Sequence, residues 1–238
     1  DWAWAFQTFR AGGNRWIPPG LFNVSQLVGL MSSRRSCRNF LDKPVDTGCL
    51  EDLVRIGIMA PSGTNSQKWT FTILPDRQTV LRAGTAIGRF FERLNRIAGN
   101  HFIRVGLKLL GRSQLEKYYR EHYFSVRDAL VEWKKGGSDR LFHGATAVII
   151  VGSKPDASCP MEDALLATQN ILLGAHSMGL GTCLVGFAVA AMQKDPTIKV
   201  AVNIPTDEPV YAVIALGHPD ESYIRPAGRK KPLVRWAS

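Results

Sequence analysis

Two short polar stretches in the first third of the chain could hold an anionic ligand, and the first is strongly basic. Three guanidinium groups and a hydroxyl fall within five residues, in Arg34-Arg35-Ser36-Cys37-Arg38. Arginine forks match phosphate oxygens in a bidentate way, so this spacing suits a phosphate group held in place. A solvated basic turn would have the same composition. The segment therefore indicates either a phosphate site or an exposed basic turn.

The second stretch is a polar turn between a predicted helix and a predicted strand. Its short polar side chains are Ser62, Thr64, Asn65, Ser66 and Gln67. Pro61 and Gly63 stop a helix and free the backbone, so donors and acceptors are concentrated in one tight turn. Such a turn could grip a polar ligand, although an ordinary helix-to-strand connection is also rich in these residue types.

The charge of the chain favours an acidic ligand or partner. The net charge is +10, and residues 85–140 hold twelve Lys or Arg against six Asp or Glu. No zinc finger, aromatic RNA-binding motif or Gly-rich KH loop is present, so nucleic-acid binding is not predicted. The four cysteines lack CxxC spacing and the five histidines lie far apart. We therefore expect reduced, structural cysteines and no metal site.

Hydrophobic periodicity predicts the elements that must position these residues. A helix is expected over 25–30, and a second helix, capped by Asp46 or Thr47, leads into the polar turn. The helix over 162–178 is apolar nearly all round, so it must be buried on several sides. Short apolar runs predict strands over 70–74, 147–152 and 210–216.

The 238 residues contain no linker and no internal repeat, so one domain, 1–238, is expected. An arm over 1–23 carries six large aromatic side chains and is expected to lie across the domain or a second subunit. Residues 85–140 predict two or three amphipathic helices. Within them, 101–110 is basic and apolar enough to lie on a membrane surface or to pack as a lid on its own domain. No run is long enough for a membrane span.

Four ordered blocks of the sequence resemble the FMN-dependent nitroreductase family. They are Arg34-Arg35-Ser36-x-Arg38-x-Phe40, residues 60–69, residues 163–170 with 179–183, and residues 212–219 with 229–232. The chain is similar to the second half of ferredoxin–nitroreductase fusions, but no cysteine pattern for an iron–sulfur region is present. The resemblance implies an α+β fold. Its form would be a three-layer α/β/α sandwich with a central mixed, largely antiparallel sheet, a helical lid insertion over 85–140 and an intertwined homodimer.

The resemblance also implies a site for FMN, with no metal and no side-chain acid or base. Basic residues of the first and last blocks would hold the phosphate, and the turn around Asn65 would hold the ribityl chain and pyrimidine edge. The backbone amides of Val185 and Gly186 would face flavin N5. The implied cofactor-binding residues are Arg34, Arg35, Ser36, Arg38, Ser62, Gly63, Asn65, Leu184, Val185, Gly186, Arg229 and Lys230.

The activity implied by the resemblance is transfer of hydride or electrons from NAD(P)H or a ferredoxin-like donor to flat, electron-poor acceptors. Nitroaromatics and quinones are such acceptors, and a shared flavin face implies ping-pong kinetics. The alternatives are a flavin carrier or redox sensor without turnover, flavin fragmentation, and reductive dehalogenation. A cytoplasmic homodimer is expected. The chain has Lys68 where many members carry proline, and Val185 where well-studied members carry glutamate; backbone contacts preserve the ring chemistry there.

Overall fold

The structure, a computed structural model, describes residues 2–10 and 16–237. The helices in that part of the chain are α1 (Val24–Ser33), α2 (Thr47–Gly57), α3 (Arg77–Gly99), α4 (His101–Leu109), α5 (Gln114–Glu121), α6 (Tyr123–Lys134), α7 (Pro160–Ser177), α8 (Gly186–Lys194) and α9 (Pro196–Val200). The strands are β1 (Trp69–Leu74), β2 (Ala147–Ser153), β3 (Gly181–Leu184) and β4 (Val210–Gly217). Short 3-10 turns cover Trp2–Trp4 and Gly63–Asn65.

The four strands form one sheet in the order β1-β2-β4-β3, and each neighbouring pair is antiparallel. A parallel bridge joins Ser36 to Thr182 at the β3 edge. The register between β2 and β4 shifts beside Val151, because Ala212 and Val210 are paired and Tyr211 between them is not. The largely antiparallel sheet expected from the sequence is confirmed.

Both faces of the sheet are covered by helices, which gives the expected three layers. Ala147, Ile149 and Val151 of β2 face a core shared with α2 and α7. Val148 and Ile150 face a second core built with α3, α8 and α9. Every residue of β2 is buried. A strand that is buried on both faces has a continuous apolar sequence, and this run of apolar residues is what predicted β2.

Helix α7 is buried on one side only within a single chain. Gly174 packs so close to α2 that an added Cβ would lie 2.9 Å from Cδ1 of Ile56. On the opposite side, Met161, Leu165 and Leu166 are exposed. The expectation of burial on several sides is therefore met only on the face that packs against α2 and the sheet.

The helical excursion differs from its prediction in number and in role. Four helices, α3 to α6, replace the two or three expected over 85–140, and the first begins earlier, at Arg77. Asp76 caps α3 by accepting the Thr79 amide at 2.8 Å. Val80 and Ile87 of α3 are fully buried in the core, so this helix belongs to a sandwich layer as well as to the lid.

The aromatic arm lies across α2 at one point. The amides of Gln7 and Thr8 donate to the buried Asp52 carboxylate at 2.9 Å and 2.7 Å. Trp16 and Phe22 are exposed, and residues 1 and 11–15 of the arm lie outside the described residues. No helix in the described ranges 2–10 and 16–237 has the length and apolar character to cross a membrane.

Gly174→Val should lower the free energy of unfolding by about 1–3 kcal/mol, because the new side chain overlaps Ile56 across the tightly packed α2–α7 contact. Urea unfolding at equilibrium measures this loss. Gly106→Val is the matched control, since no atom lies within 4 Å of an added Cβ on that helical glycine. Equal midpoints for the two variants would contradict the close contact.

Candidate functional site

The basic segment, residues 34–38, runs beside the sheet edge instead of lying free in solvent. The amide of Cys37 donates to the Thr182 carbonyl at 2.8 Å, and Ser36 forms the parallel bridge to the same residue. The Cys37 side chain is buried, whereas Arg38 is exposed. Docking on β3 therefore fixes the backbone of the segment and leaves its guanidinium groups available. All four cysteines are free, and burial raises the pKa of the Cys37 thiol to about 11.

The C-terminal tail anchors the basic segment through Glu221 and Tyr223, two residues that sequence reasoning missed. The Glu221 carboxylate accepts the Arg38 amide at 2.8 Å, the Asn39 side-chain amide at 3.0 Å and the Tyr223 hydroxyl at 2.6 Å. Burial would raise the pKa of Glu221, but these donors lower it below its ordinary value. The Tyr223 hydroxyl also donates to the Ser36 carbonyl at 2.9 Å.

The guanidinium groups of the basic segment are not paired with carboxylates in the described residues. The Arg35 guanidinium lies over the Tyr223 ring, 4.6 Å from its centroid. No carboxylate in the described part of the chain forms an ion pair with Arg34, Arg35 or Arg38, since Glu221 bonds backbone and amide groups instead. A cleft of about 280 Å³ opens beside Arg34 and Arg35, with Glu221 also in its wall. Because the two guanidinium groups outnumber this one carboxylate, the cleft is a candidate place for a phosphate.

At the β3–α8 corner, residues 184–186, two backbone amides were predicted to be available, those of Val185 and Gly186, and the structure leaves one of them available. The Val185 amide donates to the Val213 carbonyl at 2.8 Å, so the prediction that it is available to a flavin is corrected: the sheet already uses it. Helix α8 begins at Gly186, and an amide in the first turn has no acceptor within its own helix. The Gly186 amide therefore remains available, at the positive end of the helix dipole.

A cavity of about 750 Å³ joins this corner to the basic segment and the lid. Its aromatic and cationic lining includes Arg38, Phe90, Phe91, Tyr118, His122, Arg140, His143, Phe187 and Lys194. The Phe187 ring meets Phe91 edge-on at 5.6 Å and His122 at 5.3 Å, which ties α8 to the lid. No carboxylate among the described residues lines the cavity, and burial together with Arg38 lowers the pKa of His143. The cavity therefore suits flat, anionic molecules.

The polar turn adopts a strained backbone. Thr64, Asn65 and Gln67 have φ values of 51°, 54° and 51°, in the left-handed region that residues other than glycine rarely adopt. The Gln67 side chain donates to Asn65 Oδ1 at 2.8 Å, and the Gly63 amide donates to Asp163 at 2.8 Å. Three strained residues in one short turn favour a functional role over a simple connection.

Lys68, which departs from the family pattern, does not add a free cation beside the polar turn. Its ammonium pairs with the Asp156 carboxylate. In the late basic pair, Arg229 donates to the carbonyls of Ala227 and Gly228 in its own tail at 3.1 Å and 3.4 Å, and Lys230 is exposed. In the described structure the tail contacts the basic segment through Glu221 and Tyr223, which were not predicted.

The basic segment and the polar turn lie at opposite ends of α7 in one chain. Asp163 holds the polar turn at the N-terminal end, and His176, 3.0 Å from the Ser33 hydroxyl, lies next to the basic segment at the other. At a rise of about 1.5 Å per residue, α7 separates these residues by about 20 Å. One chain therefore does not bring Ser62, Gly63 and Asn65 together with Arg34 and Arg38, as the sequence analysis expected.

Comparisons with known proteins agree on the fold and on the family. A sequence model of the Nitroreductase family matches residues 31–218. The 4-nitrobenzoate reductase of Nocardioides sp. strain LMS-CY is 24% identical over 224 residues, which cover 84% of this chain and 83% of that protein. The nitrobenzene nitroreductase of Ectopseudomonas oleovorans is 26% identical over 219 residues, covering 81% and 86%. A nitroreductase with bound FMN from Desulfitobacterium hafniense DCB-2 superposes with a TM-score of 0.62 at 19% identity, covering 92% of this chain and 100% of that one.

Glu221→Gln should destabilise the protein at pH 7 by about 1–3 kcal/mol, because the charged acceptor of three hydrogen bonds is lost. The folded-state pKa of Glu221 is depressed, so its contribution is complete above the unfolded value of about 4.3 and disappears as pH falls through the folded value. Urea unfolding across that pH range should show the two proteins converging in acid. A difference that stays constant with pH would contradict the assigned role of the carboxylate.

Proposed function

The chain belongs to the nitroreductase family, and we propose on that premise that it is an FMN-dependent oxidoreductase acting on flat, electron-poor aromatic compounds. The observation that carries the proposal is the shared cavity of the basic segment and the β3–α8 corner. The Arg38 guanidinium, which forms no ion pair in the described residues, and the available Gly186 amide both line this cavity, together with the aromatic side chains of Phe91 and Phe187. Solved relatives with bound FMN support the choice of cofactor.

The residues present fit the parts of FMN. Arg34 and Arg38 supply cationic forks that form no ion pair in the described residues, although Glu221 lines the cleft beside Arg34. Such forks suit the phosphate and the electron-rich pyrimidine edge. Phe91 and Phe187 offer flat apolar surfaces of the kind that an aromatic ring system packs against. The Gly186 amide is a fixed donor of the kind that stabilises a reduced ring. Arg229 and Lys230 remain proposed phosphate ligands if the tail closes over the cleft.

FMN, when bound, supplies the hydride and electron chemistry between a nicotinamide donor and the acceptor. The protein's own residues bind and orient both reactants. Arg140 and Lys194 attract anionic groups to the mouth of the cavity, while the Phe187 contacts with Phe91 and His122 hold the lid against α8 and exclude water. Among the described residues no carboxylate lines the cavity, and we assign the acceptor's proton to solvent. A common binding face for donor and acceptor gives ping-pong kinetics.

The site is completed by a second copy of the chain. The two halves lie about 20 Å apart along α7, and residues 62–65 line neither of the two clefts beside the basic segment. The uncovered faces of α1 and α7 carry the apolar surface that a dimer would bury. Their exposed apolar side chains are Val24, Leu27, Val28, Met31, Met161, Leu165 and Leu166. We propose that the partner copy brings its polar turn, with Ser62, Gly63 and Asn65, to the basic segment of the first.

The purified protein should bind FMN and oxidise NADPH or NADH when 4-nitrobenzoate is added. We expect kcat/KM for 4-nitrobenzoate to exceed that for nitrobenzene, because the carboxylate meets a cavity lined by cations and no anion. Flavin absorbance after gel filtration and steady-state kinetics measure both. A protein that retains FMN but is reduced slowly by both nicotinamides would be a carrier or sensor instead.

The double variant Arg140→Gln/Lys194→Gln tests whether these two cations cause the preference for 4-nitrobenzoate, and nitrobenzene is the uncharged control substrate. Both side chains are exposed at the rim, so each weak ion pair contributes about 0.2–1 kcal/mol. The KM for 4-nitrobenzoate should rise about three- to tenfold, while the KM for nitrobenzene stays unchanged. A similar rise in KM for both acceptors would show that Arg140 and Lys194 do not bind the carboxylate of 4-nitrobenzoate.

The composite site has a sharper test in mixed dimers. Arg34→Ala and Asn65→Ala should each abolish tight FMN binding, since every site then lacks one half. A dimer with one copy of each variant should regain one intact site in two, because the unchanged Arg34 of one copy meets the unchanged Asn65 of the other. Differently tagged copies, co-expressed and purified through both tags, allow the bound flavin to be counted. Recovery of no sites would place both halves within one chain.

A further inference from the structure

The short lid helix α4 turns its apolar face to solvent. Phe102 is 85% exposed, Leu109 is 83% exposed and Leu110, at the end of the helix, is 75% exposed. Ile103 and Val105 are exposed beside them. At 100° per residue these five positions fill one continuous arc of the helix surface. We refer to these five residues as the α4 face.

The residue of α4 that is buried against the protein is the charged Arg104, beside the half-buried Leu107. Most of the apolar surface of this helix therefore faces solvent, the reverse of a normal surface helix. The Arg104 guanidinium donates to Glu116 Oε2 at 3.0 Å and to the Ala98 carbonyl at 2.6 Å, and it lies 3.6 Å from the centroid of the Tyr119 ring. These contacts fix the orientation of the helix, and therefore the outward direction of the α4 face.

The surroundings of the α4 face are basic. Residues 93–115 contain five Lys or Arg and no Asp or Glu. Arg93 pairs with Asp195, and Arg104 pairs with Glu116. Arg96, Lys108 and Arg112 form no ion pair within the described ranges 2–10 and 16–237. An exposed apolar arc bordered by unpaired cations is the combination found in helices that lie in the interface of an anionic membrane.

We propose that α4 is an interfacial helix through which the protein docks on a lipid bilayer containing anionic headgroups. The apolar side chains of the α4 face enter the boundary between headgroups and acyl chains, and Lys108 and Arg112 contact the headgroups. A second copy of the same face is a poorer occupant, because its own Lys108 and Arg112 would approach with like charge. The α1 and α7 surface proposed for dimerisation is formed by other elements, so docking and dimerisation do not compete.

Vesicle flotation of the FMN-loaded protein tests the proposal. The protein should float with vesicles of phosphatidylcholine mixed with phosphatidylglycerol and remain at the bottom with phosphatidylcholine alone, and added salt should weaken binding because it screens the headgroup charge. Leu109→Ser/Leu110→Ser should lower the bound fraction about tenfold or more, since two large apolar groups no longer enter the lipid. Val131→Ser, an exposed apolar position on α6, is the matched control and should float normally.

The fluorescence of a Phe102→Trp variant tests whether α4 enters the lipid. Its emission, after subtraction of the spectrum of the unchanged protein, should shift to shorter wavelength on addition of the anionic vesicles and not of the neutral ones. Flavin content and thermal melting check that every variant is folded. Equal flotation of Leu109→Ser/Leu110→Ser and the unchanged protein, or no flotation of either, overturns the proposal. A change of oligomeric state in that variant without lipid would assign the face to a second copy.

Discussion

A helix packed against a sheet buries about half of its circumference, and α7 has apolar residues on more than that half. Its sheet-facing side fills the core with Ile171 and Ala175, and Gly174 allows α2 to approach closely. The remaining side leaves Leu165 and Leu166 in solvent. The same helix separates the basic segment from the polar turn. In the proposed dimer, this one helix supplies the apolar surface that a partner copy covers and sets the distance that the partner copy closes.

The positive charge available in the candidate site depends on which groups the Glu221 carboxylate contacts. Glu221 accepts from the Arg38 backbone and from Asn39, and it does not form an ion pair with a guanidinium in the described structure. The tail is thus fixed to the basic segment, and its single negative charge offsets only part of the charge of the three arginines. A salt bridge at the same place would give similar local stability but would remove the charge that an anionic ligand needs. The arrangement keeps the segment rigid and cationic at once.

The sequence predicted the elements whose signal is local. Asp46 caps α2, Gly179 follows α7 with a φ of 75°, and the apolar runs became β1, β2 and β4. It missed what depends on tertiary contacts. Strand β3 is only four residues long and is defined by its pairing with β4, so the corner around Val185 read as a loop. The Val185 amide is taken by Val213, a partner that no spacing rule could identify.

The polar turn and the basic segment show a second limit of sequence reasoning. Each of the two stretches has an unusual composition, three arginines in one and a run of short polar residues in the other. Their positions relative to each other depend on the length of α7, which the two compositions do not reveal. The Glu221 and Tyr223 contacts were missed because a single carboxylate and a single phenol carry no pattern. Arg104 was counted among the basic lid residues, and its burial against Tyr119 could be found only from the packing.

The contacts proposed for the redox end of the cavity are made by backbone, which explains how the chain can differ so much from its relatives and retain one chemistry. The donor at the β3–α8 corner is an amide whose position depends on where α8 begins, and any residue that permits that helix start will serve. Glycine at 186 leaves the approach to the amide open, since no atom lies within 4 Å of an added Cβ there. In the proposed site, side-chain identity matters at Arg34, Arg38 and Asn65, where the group itself is proposed to act, whereas a backbone donor at the corner makes no such demand. A relative that is 24% identical over most of the chain is compatible with that division.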